Sequence, residues 1–429
     1  MKKKAVALAV GALFAAPAVQ AQLVMGNETT GTVQVYGKLY PQFGVSKGQG
    51  STQVGDGVST LVTANGTYSA ASATGTVFGG RVPDHGQRNQ VDSQNSYIGF
   101  RGERNLGGQL KGIWQVEQSI DLEFGAGGAL WSNRNTFAGL SHRTMGTVKL
   151  GNMDTIYKEY GDTMAMFGIA SGNFISASNV LSHIGIGSNN NARFHERTPN
   201  SIQYQTGEFA GFQAGLQYMP DELKSGDGRG INKNLWSYGV KFDSERFYAS
   251  VHQEIHNDFY GASSNIADAT IANSTSAAGP IHSRDTATRA SAEVRFTGPL
   301  ASRLVFDFAR LKYTEFGQTA NGKFQEYKKP NYAIGYDAGF GAWRFAIQWV
   351  HAGSGTCQLT GGVDCSTNGL ASNMVNVGTR YRFDRQTFVY LIAGRLNNGA
   401  SARHDNWNPG TPNRGEDMKQ AAIGLSYSF

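Results

Sequence analysis

Gly44-Val45-Ser46-Lys47-Gly48 has the G-x-S-x-G spacing. In an α/β hydrolase that spacing sets a serine nucleophile on a sharp strand-to-helix turn. Here it follows an alternating segment and opens a long loop, residues 44–92, with no helical period behind it. An outer-membrane hydrolase would also need a histidine beside a serine near one rim, and no such pair is visible. Gly226 to Gly230, GDGRG, lacks the strand-before-helix setting of a phosphate loop. The nine histidines are scattered, without an H-E-x-x-H motif. His252 and His256 share one strand face but stand too far apart to pinch a metal. Cys357 and Cys365 are eight residues apart in a Gly/Thr/Ser/Asn-rich loop. In an exported chain they read as one local disulfide, and two thiols fall short of a four-ligand metal site. No cofactor motif emerges.

What remains is electrostatic chemistry, which depends on placement. The start, MKKKAVALAVGALFAAPAVQA, has a basic n-region, an apolar core and a Val19-Gln20-Ala21 cleavage pattern. Residues 1–21 therefore read as an export signal and 22–429 as one mature domain. Without the three signal lysines, 35 basic residues face 32 acidic ones, or +3. That balance gives no signature of nucleic-acid binding.

The elements that must hold these charges are strands. Gly accounts for 56 of 429 residues and Pro for only 10. Beyond the signal no run of eighteen apolar residues occurs, so no transmembrane helix is visible. Instead, segments of about ten residues alternate in polarity. In VQVYGKLYPQF, Val33, Val35, Leu39 and Phe43 share one face, and Gln34, Tyr36, Lys38, Tyr40 and Gln42 the other. Sixteen such segments can be counted, ending in KQAAIGLSYSF. Around Val305 to Tyr313 the parity is ambiguous and suggests a bulge. Seven short turns alternate with eight long loops. That is the signature of a closed, all-β, 16-stranded antiparallel transmembrane β-barrel, short turns at one rim and long loops at the other. Closure removes the sheet edges that lipid cannot hydrogen-bond. Sixteen strands leave an aqueous channel. A soluble β-sandwich explains the alternation but not the even count, the rim asymmetry or inner faces bearing Lys and Arg.

The chain resembles the general trimeric porins of the Gram-negative outer membrane, of the β-proteobacterial kind. The resemblance rests on VYGKLYPQF, SYIGFRGERNLGGQLKGIWQVE, NTFAGLSHRTMGTVKLGN, NSIQYQTGEFAGFQAGLQY and the terminal YSF, in order and spacing. It implies a homotrimer, periplasmic short turns, external long loops and passive diffusion of small hydrophilic solutes and ions. It also implies a third long loop folded inward. Basic wall residues would face acids on that loop. Lys38 and Arg197 match family basic positions, and both lie on the predicted inner face. Two departures stand out. Asn152 replaces an arginine in LGN, and Tyr97 stands where a wall arginine is frequent, although Arg101 remains on that face. The loop acids are Asp154, Glu159 and Asp162, then none until Glu196. The charged eyelet is therefore expected to be weak.

By parity, further inward cations include Lys111, Lys149, Lys241, Arg289, Arg295, Arg344, Arg380 and Arg382. Inward acids include Glu103, Glu117, Glu254, Glu293 and Asp337. Cations predominate, which predicts mild anion preference, while many of these charges are expected to pair with one another or with lipopolysaccharide phosphates near the rim. The resemblance also implies that Tyr427 and Phe429, on a strand closing against VQVYGKLYPQF, form a signal for the barrel-assembly machinery. An alternative keeps the barrel but makes it substrate-selective, with solute bound at the third loop.

Overall fold

The computed structural model describes the chain apart from residues 1–22, 28–29, 53–58, 60, 63–83, 94, 121–133, 170, 188–191, 223–230, 274–280 and 406–411. The export-signal reading and GDGRG lie outside the described residues. Among the described residues, twenty-one antiparallel strands form one sheet. Three stand outside the ring: Leu23–Asn27 and the small hairpin Thr356–Leu359 with Val363–Cys365. The first stave is broken into Gly31–Leu39 and Gln42–Gln49, the second into Arg88–Asp92 and Tyr97–Gly107. The remainder close as a 16-strand barrel.

The break in the first stave falls at Tyr40-Pro41, where proline has no N–H to give a ladder. Pairing resumes beyond it. Gln42–Gln49 therefore runs as a strand between Arg88–Asp92 and the closing strand Asp417–Ser428. This corrects the placement of Gly44 to Gly48 in a loop. Ser46 is a ladder residue opposite Gln420, not the tip of an elbow. The ambiguous segment is also resolved. Arg303–Phe316 pairs without a register shift on either side, so it contains no bulge. Its parity was obscured because both faces are apolar. Phe306 and Phe308 face outward, while Val305, Ala309, Leu311 and Tyr313 are buried inward.

The outer face follows the period-two rule. Trp236, Tyr238, Trp343, Phe345 and Trp349 are exposed on it. The closing strand ends against the first stave, pairing Tyr427 with Leu39 and Ser428 with Lys38. Phe429 exchanges both backbone hydrogen bonds with Gly37, each at 3.0 Å. Its ring lies where a Cβ on Gly37 would stand. An aromatic ring thus covers a strand glycine at the seam.

The third long loop, between strands Gly146–Asp154 and Arg197–Gln205, turns into the lumen. It carries a one-and-a-half-turn helix, Ile156–Gly161, capped by the Thr155 hydroxyl accepting from the Lys158 N–H. A backbone buried in a barrel must find hydrogen-bond partners, and the wall supplies them. The Tyr248 hydroxyl donates to the Tyr160 carbonyl at 2.6 Å. Asn331 Nδ2 donates to Leu181 at 2.9 Å, Lys329 Nζ to Ile184 at 2.8 Å, and the Tyr313 hydroxyl to Ala192 at 2.6 Å. Gln348 reaches the Ile175 carbonyl. Apolar loop residues complete the anchoring. Ile184, Ile186 and Phe194 join Leu61, Ile266, Tyr327 and Cys357 in one core beneath the long loops. Cys357 and Cys365 are disulfide-bonded across the small hairpin.

Candidate pore constriction

The loop covers one side of the lumen. On the staves it packs against, inward side chains such as Ser237, Arg289 and Gln348 are at most 2% exposed. On the opposite wall, Glu103 and Lys111 remain 42% and 44% exposed despite their 2.7 Å ion pair. The water-filled path therefore runs along staves Gly31–Leu39, Tyr97–Gly107, Leu110–Ser119, Thr136–His142 and Gly146–Asp154.

The predicted wall residues fall into one continuous line. Lys38 is the direct cross-strand partner of Tyr97, and Gln34 of Arg101. The Lys38 ammonium sits 4.1 Å from the centre of the Tyr40 ring, and the Arg101 guanidinium 4.7 Å from that of Tyr36. Arg134 lies over the Tyr97 ring at 4.7 Å and pairs with Glu117 at 2.5 Å. Glu117 also accepts from the Tyr36 hydroxyl. Asn152 donates to the Arg134 carbonyl at 2.9 Å. Arg134 thus supplies a cation beside the tyrosine that replaces the wall arginine. The sequence offers one cue to it, a basic residue just before the alternating run NTFAGLS.

The expected row of loop acids is largely absent as free charge. Asp154 ends its strand, beyond a bulge between Gly151 and Met153, and is not on the loop's free surface. It is held by Lys158 at 3.0 Å and Arg197 at 2.9 Å, and Asn135 donates to Asp154 while accepting from Arg197. Arg197, expected on the wall facing the loop acids, is paired with this one. Asp162 contacts His195. Glu159 alone of the three is exposed, accepting from Gln205 at 2.7 Å.

The cations are held differently. Lys38, Arg101, Lys149, Lys241 and Arg380 all lie over aromatic rings, at 4.1 to 5.7 Å. None of the five has a carboxylate within ion-pair distance among the described residues. A ring face positions a cation without cancelling its charge. The wall therefore keeps its positive field.

At the long-loop end the third loop is latched to the eighth. The His404 ring lies against Gly185, 6.2 Å from the His183 ring, with Lys329 Nζ at 3.0 Å and the Ser372 hydroxyl at 2.8 Å. Burial first, then the Lys329 charge, holds His404 well below the usual histidine value of 6.5. Burial, then Arg193 and Lys329, does the same for His183. Bases whose values are depressed in the packed state stabilise it above 6.5 and oppose it as pH falls. Acidification from about pH 7.5 to about pH 5 should therefore loosen the latch. Proteolytic nicking of the long loops and open-channel noise should both rise, and His404→Asn should flatten the response. A wild-type profile unchanged over that range would count against the latch.

The family model described as Gram-negative porin matches residues 5–401. Major outer membrane protein P.IB of Neisseria lactamica is 30% identical over 172 residues, 40% of this chain and 45% of that protein. The chain thus spans less than half the length of that relative. Among solved structures, the anion-selective porin from Comamonas acidovorans has a TM-score of 0.64 at 17% identity, covering 93% of this chain and 100% of that one. OmpT of Vibrio cholerae in a trimer form has a TM-score of 0.55 at 12% identity, covering 93% and 99%. These likenesses carry the fold alone. The family model spans most of the chain, and the protein belongs to the Gram-negative porin family.

Proposed function

We propose that the protein is an outer-membrane channel for passive diffusion of small hydrophilic solutes and ions, with a mild preference for anions. One observation carries the preference. Among the described residues, five lumen cations rest on aromatic rings without acidic partners, while Glu159 is the one loop acid of the predicted three left without a basic partner. The printed name of the Comamonas acidovorans porin agrees with this reading. The alternative, a third loop that selects one solute class, has less support, because the loop's carbonyls and acids are largely occupied by the wall.

The same reading includes a homotrimer, in keeping with the trimer form of OmpT. It includes lipopolysaccharide phosphates at the long-loop rim. Arg395, Lys419 and Lys47 stand side by side in register on the outer face, where like charges repel unless an anion bridges them. It also includes recognition of Tyr427 and Phe429 by the barrel-insertion machinery.

The test is planar-bilayer recording across a potassium chloride gradient. The reversal potential should have the sign of chloride preference, strengthening as salt is lowered and screening falls. Conductance should rise in groups of three steps. Cation preference would overturn the selectivity reading, and single-step insertions the trimer.

A further inference from the structure

Below the tip of the third loop, at the short-turn rim, a cavity of about 470 Å³ opens against the inner wall. Its floor is a ladder of alternating charge. Asp243 pairs with Arg295 at 2.7 Å, and Arg295 with Glu293 at 2.5 Å. Glu293 pairs with Arg303 at 3.0 Å, and Arg303 with Asp337 at 2.8 Å. Asp337 also holds Arg344. Beyond Arg344 the alternation stops. Its direct cross-strand partner is Arg380, another cation.

The ladder contains its own precedent for such a pair. Arg295 and Arg303 are also direct cross-strand partners. Like charges placed opposite one another destabilise a sheet. There, one carboxylate relieves the repulsion: Glu293 gives one oxygen to each guanidinium. Among the described residues no side chain does this for Arg344 and Arg380. Arg380 makes no ion pair or hydrogen bond among the described residues. It lies over the rings of Phe167 and Phe388, at 5.7 and 5.0 Å. Ring contact engages a guanidinium face and leaves its N–H edges free for a carboxylate. Phe167, Ala165 and Phe296 give the same cavity apolar walls.

From this gap we infer that Arg344 and Arg380 form a subsite for small organic carboxylates, with the carboxylate bridging the two guanidiniums and the carbon skeleton resting on Phe167 and Phe296. The inference rests on the channel reading and adds a retention point within a passive pore. Such a solute would occupy the site in transit, as Glu293 permanently occupies the equivalent position between Arg295 and Arg303.

Benzoate is a suitable probe, with benzamide as its neutral isostere. In bilayer recordings of the full-length protein, millimolar benzoate should reduce chloride current saturably, and benzamide should not. Arg380→Gln should raise the half-blocking benzoate concentration about tenfold, the loss of one charge-assisted hydrogen bond. Arg380→Lys should recover part of the block. A linear, unsaturated benzoate effect, equal effects of benzamide, or an unchanged half-block in R380Q would each overturn the subsite. If R380Q does not assemble, the benzoate-to-benzamide comparison on the wild type decides. Failure of the channel reading looks different: no conductance, or cation preference, before any benzoate is added.

Discussion

Asp307→Ala is expected to free the tip of the third loop and to destabilise the barrel more than any other single exchange on the inner wall. Asp307 is 4% exposed and Arg289 is 2% exposed, joined by contacts of 2.9 and 3.0 Å. The same carboxylate accepts from the Thr163 hydroxyl at 3.1 Å and from Ser291. It is therefore both the counter-ion of a buried arginine and the peg of the loop tip. Breaking a buried pair by removing one partner costs about 3–5 kcal/mol, because the remaining charge stays desolvated. Asp307→Asn keeps the shape and some hydrogen bonds and should cost less. A thermal melt in detergent reads the stability, and single-channel noise reads the loop. Wild-type noise and melting in D307A would show that the apolar loop contacts suffice alone.

Lys38→Glu is expected to move the reversal potential toward the cation side more than any other single exchange on the open wall. The charges of Arg134 and Arg380 both reach Lys38. An acid at that position removes one cation and also offsets its neighbours. A change of about 1 kcal/mol in the difference between the anion's and the cation's energy at the site, as expected for a charge exchange in a partly screened lumen, alters the anion-to-cation permeability ratio about fivefold at 0.1 M salt. Folding should tolerate the exchange, since the new carboxylate finds cations around it. Lys47→Glu, on the outer face, is the matched control and should leave the ratio unchanged. Equal shifts from both variants would mean that total charge, not placement along the path, sets selectivity.

The barrel could be read from the sequence because lipid on one side and water on the other impose a period of two on nearly every stave. Phe306 and Phe308 show where that rule is hidden: when a loop packs inside, the inner face becomes apolar too, and parity loses its contrast. The pattern at Gly44 to Gly48 misled for a related reason. The glycines and small polar residues after Phe43 look like the start of a loop, although the ladder runs on to Gln49. Lys38, Tyr97 and Arg101 come together because period and pairing place them. Arg134 is invisible to that logic, since it reaches the wall from just before its strand. The fate of Asp154 and Arg197 was also hidden, because alternation reports which way a side chain faces and not what it meets there.

The wall grips the third loop largely by its carbonyl oxygens, at Tyr160, Ile175, Leu181, Ile184 and Ala192. Every residue type offers the same carbonyl. Anchoring is thus indifferent to side-chain identity at these points. Evolution can rewrite the loop's solute-facing chemistry while its course through the barrel is inherited intact. The pore can change what it favours without relearning how to fold.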